Sequence, residues 1–176
     1  MQPGRYTAPA RALHWLVALL VIGQITLGFL ADSAPDAEAR PLRQTHAEVG
    51  VIILVLMVLR LSWRIASPPP HLPATMTQAQ RSIAGWVHRL IYAVLFIMLT
   101  SGLTVWMWIG GPITLFGAIP VPLPRIASED EFWLSVAGYT HEYGAFAITA
   151  LVVLHIGAAL WHELVLRDRL IRDRML

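Results

Sequence analysis

Three of the seven histidines, His141, His155 and His162, fall in one apolar stretch at intervals of 14 and 7 residues. A helix turns about 100° per residue, so these intervals fall about 40° and 20° short of whole turns, and the three rings share one face. His141 and His155 are then about 21 Å apart along the axis, too far to serve one metal ion or one macrocycle. The spacing points to two stacked sites. The sequence contains no cysteine, which removes disulfides, thiolate metal sites and cysteine-attached cofactors together, so hard chemistry rests mainly on imidazole.

Each site needs a second ring from a facing helix. His46 lies at the end of another apolar run, at the depth of His141. At the opposite end His14 has three possible partners, His155, His162 and His88. Two imidazoles facing across a flat space lined by small residues is the arrangement a non-covalent b-type haem requires. Gly50 and Gly144, each about one turn after a histidine, offer such space. Bare-metal transport fits less well, because the six methionines are scattered, although Glu48 and Glu142 sit beside the histidines. His71 lies in the proline-rich connection SPPPHLPATMTQ (67–78) and is expected to be solvated.

The elements that must position these rings follow from composition. The chain has 176 residues, of which 56% are hydrophobic and 14% charged, with a mean hydropathy of +0.60; soluble domains carry about 25% charged residues. Continuous apolar runs at about 13–31, 46–65, 83–109 and 136–166 match the roughly 20 residues of a membrane-spanning helix and are too long and unalternating for outer-membrane strands. The expected fold is all-α and integral to a membrane: one domain, residues 1–176, forming a four-transmembrane-helix bundle that holds two b-type haems. His14 and Gln24 within the first run argue against a cleavable leader. The segment 110–132, punctuated by Gly and Pro, is expected to lie back on the bundle or dip into the interface.

All 13 basic residues are arginines. They alternate with apolar runs instead of forming a solvated basic face, which excludes nucleic acid as a partner. Ten flank one side of the spans, and only Arg40, Arg43 and Arg125 flank the other, so both termini are expected to be cytoplasmic. Eight acids, Glu129 among them, lie on the outer side and three on the inner. Arg60 sits near the inner boundary, placed to snorkel or to pair with a haem propionate. Six of the seven tryptophans fall near span ends, as an aromatic belt does.

The segments RALHWLV, HAEVGVIILVLMVLRLSWR, VHRLIYAVLF and HEYGAFAITALVVLHIGAALWHE, with Arg40-Pro41-Leu42 before His46 and a G-P…F-G pattern in the outer loop, together resemble the bacterial cytochrome b(561) family over nearly the whole chain. The resemblance implies a multi-pass protein of the bacterial inner membrane with two haem b groups, one held by His14 and His155, the other by His46 and His141. His162 matches the position that the family associates with quinone. The activity implied is superoxide oxidase: superoxide donates electrons at the periplasmic side and ubiquinone becomes ubiquinol, with His162 and the nearby Glu163 supplying protons. Arg40, Arg43 and Arg125 would form an anion patch for superoxide. The rival readings are a haem subunit passing electrons between quinone and a partner dehydrogenase, hydrogenase or cytochrome, and, from another class, a histidine-based proton or metal transporter. The resemblance gives His88 no role.

Overall fold

The first three apolar runs lie within longer helices in the computed structural model, which describes residues 4–72, 76–126 and 130–176, and the fourth runs on past its α-helix through a π-helical turn. Glu129 and part of the 67–78 connection lie outside the described residues. The long helices are α1 (Ala8–Ser33), α2 (Asp36–Ala66), α3 (Gln78–Ile109) and α4 (Glu131–Leu160). They exceed the apolar runs chiefly at their N-terminal ends, where polar residues start helices well. Asp36 and Glu38 lie in the first turn of α2, opposite in charge to the helix dipole there. Thr77 and Gln80 form a reciprocal capping box at α3, and the Asp130 carboxylate accepts from the Phe132 N–H at α4.

All four helices are long and apolar enough to cross a membrane. Their outward side chains are themselves apolar: Leu19 is 68% exposed, Ile65 73% and Val153 64%. In water such a surface would drive aggregation, whereas in hydrocarbon it meets a solvent like itself, and helix association rests on close packing. α1 packs mainly on α2 and α3 mainly on α4, with α2 against α3 joining the pairs. Val17, Val21, Ile53, Met57, Leu95 and Ile148 form the buried centre.

One end of the bundle is covered by the chain after α3. Strands β1 (Ile113–Leu115) and β2 (Ile119–Val121) pair antiparallel around Phe116 and Gly117, both at positive φ (54° and 67°), the backbone sense that suits a tight hairpin. Ile113 is buried, and Gln44 Nε2 donates to the Pro112 carbonyl at 3.2 Å. The loop therefore lies back on the bundle, one of its two expected dispositions, and adds a small sheet to an otherwise helical protein.

The opposite end carries both chain ends. After α4 a π-helical turn (Trp161–Val165) leads through Arg167 and Arg169, both left-handed at φ 55° and 57°, into the short helix α5 (Leu170–Met175). Arg174, only 7% exposed, donates to the carbonyls of Pro70 at 2.9 Å and His71 at 2.8 Å, and its guanidinium lies over the Tyr6 ring. Arg5 and Arg11 bond the Leu176 carbonyl, and Trp15 Nε1 donates to Met175 O at 3.1 Å. His71 is exposed, as expected. One arginine thus ties three segments together. Charge-assisted bonds of this kind contribute about 1.5–3 kcal/mol each. Arg174→Ala is expected to loosen α5, read as faster tryptic cleavage after Arg167, Arg169 and Arg172 in detergent, while helix content by circular dichroism stays the same.

Candidate functional site

Two cavities lie between the helix pairs, one toward each end. The cavity at the hairpin end has a volume of about 1000 Å³ and draws its walls from all four long helices, with Ile113 above it. In it the rings of His46, on α2, and His141, on α4, face each other with centroids 5.9 Å apart and planes at 88°. The second cavity, about 630 Å³, is lined by His14, His88, His155 and His162. There the His14 and His155 rings stand 6.3 Å apart at 80°, and those of His88 and His155 5.1 Å apart at 74°. Val21 and Leu95 line both cavities, so the buried centre of the bundle is the partition between them.

The hydrogen bonds around the rings fix which nitrogen carries a proton. His141 Nδ1 lies 2.9 Å from the Met98 carbonyl and His88 Nδ1 2.7 Å from the Ala84 carbonyl. A carbonyl only accepts, so in both neutral rings the proton is on Nδ1 and Nε2 keeps its lone pair. That is the tautomer a metal-binding imidazole needs. The Nδ1 atoms of His14 and His46 are buried without a hydrogen-bond partner, polar groups that an apolar interior tolerates poorly.

Glycines set how closely the hairpin-end rings approach the neighbouring helices. A Cβ on Gly102 would lie 2.6 Å from His141 Cε1, and one on Gly28 3.1 Å from His46 Cε1. These two residues, on α3 and α1, leave the room for the rings. Gly50 does line the cavity, but Gly144 packs against Met98 and lines neither. Spacing along one helix led to Gly144; the relevant small residues sit across from the ring, on another helix, and no same-helix interval reports them.

The charged candidates distribute unevenly. Arg40 and Arg43 line the hairpin-end cavity together with Asp32, Asp36 and Glu142, so positive and negative groups are mixed there. Arg125 is exposed beyond the hairpin. At the other cavity Arg60 Nε donates to Tyr92 Oη at 2.9 Å and Nη1 to the His14 carbonyl at 3.4 Å. Glu163 is held by Arg172 at 3.1 Å and by the Ile171 N–H at 3.0 Å. The group nearest to His162 is instead Asp168, with Nδ1 and Oδ2 2.5 Å apart, a residue sequence reading passed over.

A membrane-spanning four-helix bundle with imidazole pairs facing across two internal cavities belongs to the class of helical membrane proteins that hold cofactors between their helices. Residues 5–176 match the family described as prokaryotic cytochrome b561. The chain is 31% identical to cytochrome b561 homolog 2 of Escherichia coli (strain K12) over 170 residues, covering 94% of this chain and 88% of that protein. It is 26% identical to cytochrome b562 of Cereibacter sphaeroides over 184 residues, 99% and 96% of the two chains. With the probable superoxide oxidase CybB of Yersinia pestis it shares 29% identity over 168 residues, 93% and 92%. The chain belongs to the prokaryotic cytochrome b561 family, membrane electron-transfer proteins that carry b-type haem.

The His141 ring cannot swing freely, because Nδ1 is bound to Met98 O. Gly102→Ala is therefore expected to lower thermal stability by about 1–3 kcal/mol, as overpacking does. Gly28→Ala, with the wider gap, is expected to cost less; thermal melts of both variants in one detergent check the order.

Proposed function

We propose that this protein is a di-haem superoxide:ubiquinone oxidoreductase of the bacterial inner membrane, with both termini cytoplasmic. The observation that carries the proposal is the spacing of the imidazoles. Two ring nitrogens each about 2 Å from one metal ion place ring centres on the order of 6 Å apart. His46–His141 at 5.9 Å and His14–His155 at 6.3 Å fit an iron between them, and His88–His155 at 5.1 Å is too short. This favours His14 over His88 as the partner of His155. Among the described residues no three His, Asp or Glu side chains converge as a bare ion would need. A macrocycle that brings its own nitrogens would need only two imidazoles from the protein, which argues for haem over metal transport.

When bound, the two b-type haems would supply one-electron transfer at each cavity. Two superoxide ions then give one electron each and become dioxygen, and ubiquinone with two electrons and two protons becomes ubiquinol. The charged lining of the hairpin-end cavity, Arg40 and Arg43 included, suits a small ion. The other cavity is lined by Leu19, Ile83 and Leu154, which are 68%, 62% and 63% exposed on the lipid-facing surface. It opens sideways to the bilayer, where an apolar quinone travels. His162 lines this same cavity and is the proposed proton donor. Arg60, hydrogen-bonded at the cavity wall, is the proposed propionate partner. The similarity to CybB of Yersinia pestis, a probable superoxide oxidase, supports the choice of substrate.

The reduced-minus-oxidised visible spectrum of the purified protein is expected to show two low-spin b haems per chain, and His141→Ala and His155→Ala are each expected to lose one. One haem in the wild type, or none after full haem supply, overturns the reading. His162→Ala is expected to keep both haems and to slow superoxide-driven ubiquinone reduction roughly 100-fold, the scale of a lost general acid. Because superoxide is an anion, Arg43→Glu is expected to lower the rate of superoxide oxidation most at low ionic strength, checked by stopped-flow across a salt series.

A further inference from the structure

His162 and Asp168 form a pair that the chain bends sharply to make. The π-helical turn from Trp161 to Val165 carries His162, and such turns concentrate at functional sites. Asp168 is bracketed by Arg167 and Arg169, both non-glycine residues in the left-handed region at φ 55° and 57°. Each is a strained conformation that persists only where surrounding structure holds it. The result is an Nδ1–Oδ2 distance of 2.5 Å between side chains that are 13% and 14% exposed.

Other uses of the carboxylate are absent among the described residues. Arginines stand at 167, 169, 172 and 174, but Arg169 pairs with Asp173 and Arg172 with Glu163, and none of the four pairs with Asp168. No side chain caps α5. The second oxygen, Oδ1, is buried without a partner. The carboxylate is directed at imidazole alone.

The geometry points to Asp168 as the positioning residue of the His162 proton donor, an inference that rests on the proposed reduction of quinone in the cavity His162 lines. The carboxylate accepts the Nδ1–H, which holds the ring plane and leaves Nε2 as the nitrogen available to the cavity. When Nε2 also carries a proton, the adjacent negative charge stabilises the imidazolium. In the transfer the Nε2–H bond breaks with its electron pair remaining on nitrogen, and an O–H bond forms to a quinone oxygen. The electrons come from superoxide, and water returns the proton to Nε2 before the second transfer. Glu163, bound to Arg172 and the Ile171 N–H, is left as a support for the turn.

The test uses the full-length, haem-loaded protein in detergent, reduced beforehand and mixed with a short-chain ubiquinone, with haem content measured for every variant. Asp168→Asn and Asp168→Ala are expected to keep the wild-type haem spectrum and to lower the limiting rate of haem reoxidation at saturating quinone at least roughly tenfold, with little change in the half-saturating quinone concentration, and Asp168→Glu to recover part of the rate. The decisive measurement is the double-mutant cycle. In a His162→Ala background, Asp168→Asn is expected to cause no further slowing, because a residue acting only through the ring has nothing left to position. Multiplicative slowing would mean that Asp168 acts independently and would overturn the inference, as would unchanged rates in both Asp168 variants beside a slow His162→Ala. If Asp168→Ala loses haem, the isosteric Asn variant carries the test; haem loss there too makes Asp168 structural and overturns the proposal. A full rate in His162→Ala with haem intact instead removes the quinone reading beneath it.

Discussion

An imidazole inside an apolar bundle is stable only when both ring nitrogens are occupied, because an unpaired polar group in a medium that cannot hydrogen-bond costs several kcal/mol. Six histidines line the two cavities, two at the hairpin end and four at the other. The main chain occupies one nitrogen of His141 and of His88, and a carboxylate occupies one of His162. His14 and His46 have no such partner at Nδ1. The facing rings stand 5.9 and 6.3 Å apart, centre to centre. On the proposed reading, a group bound between them would offset the cost of placing imidazoles in lipid.

That requirement constrains the backbone. Four helices packed uniformly at the close distances of small-residue membrane interfaces would leave no room for a flat ligand. Here α1 with α2, and α3 with α4, form the tight pairs, and the seam between pairs opens into two cavities. The buried layer of Val21, Ile53, Met57, Leu95 and Ile148 keeps that seam from becoming one continuous void. Removing a branched side chain there would both lose packing and join the cavities, so the layer fixes the vertical separation of the rings as well as the helix contacts.

Much of this was legible from residue type and period. Continuous apolar runs located four spans, because a membrane span must be both long and unbroken, and the 14-residue interval put His141 and His155 on the cavity side of α4, whereas His162 falls beyond that helix in the π-helical turn. What sequence reading missed involves contacts between elements. Gly28 and Gly102 matter because they lie opposite rings on other helices, a relation that no interval within one helix encodes. The helix starts at Asp36 and Gln78 lay outside the apolar runs, since capping residues are polar. The hairpin at Phe116 and the turn at Asp168 depend on positive-φ backbone, and at Phe116, Arg167 and Arg169 the residue is one that gives no such signal. Partner choice for His14 stayed open on depth alone. The difference between 6.3 Å and 5.1 Å, which favours His14 over His88 opposite His155, is a property of side-chain placement across three helices.

The even number of spans makes the two ends of the bundle unequal, and this asymmetry bears on the direction of chemistry. Both chain ends and the α2–α3 connection meet at one end, where Arg174 joins them and residues of α5 line the cavity. In the proposed reaction the quinone reaches His162 sideways between helices, past Leu19, Ile83 and Leu154, a route open to a lipid-soluble molecule. At the other end a single hairpin covers the cavity, and Asp32, Asp36, Arg40, Arg43 and Glu142 line it, so on the proposed reading this charged end receives the water-borne donor. Two reactants of opposite solubility can therefore be served without either crossing the partition between the cavities. In the proposed reaction only electrons need to pass through the buried apolar layer, and protons for an apolar acceptor come from a titratable group on its own side, the position proposed for His162.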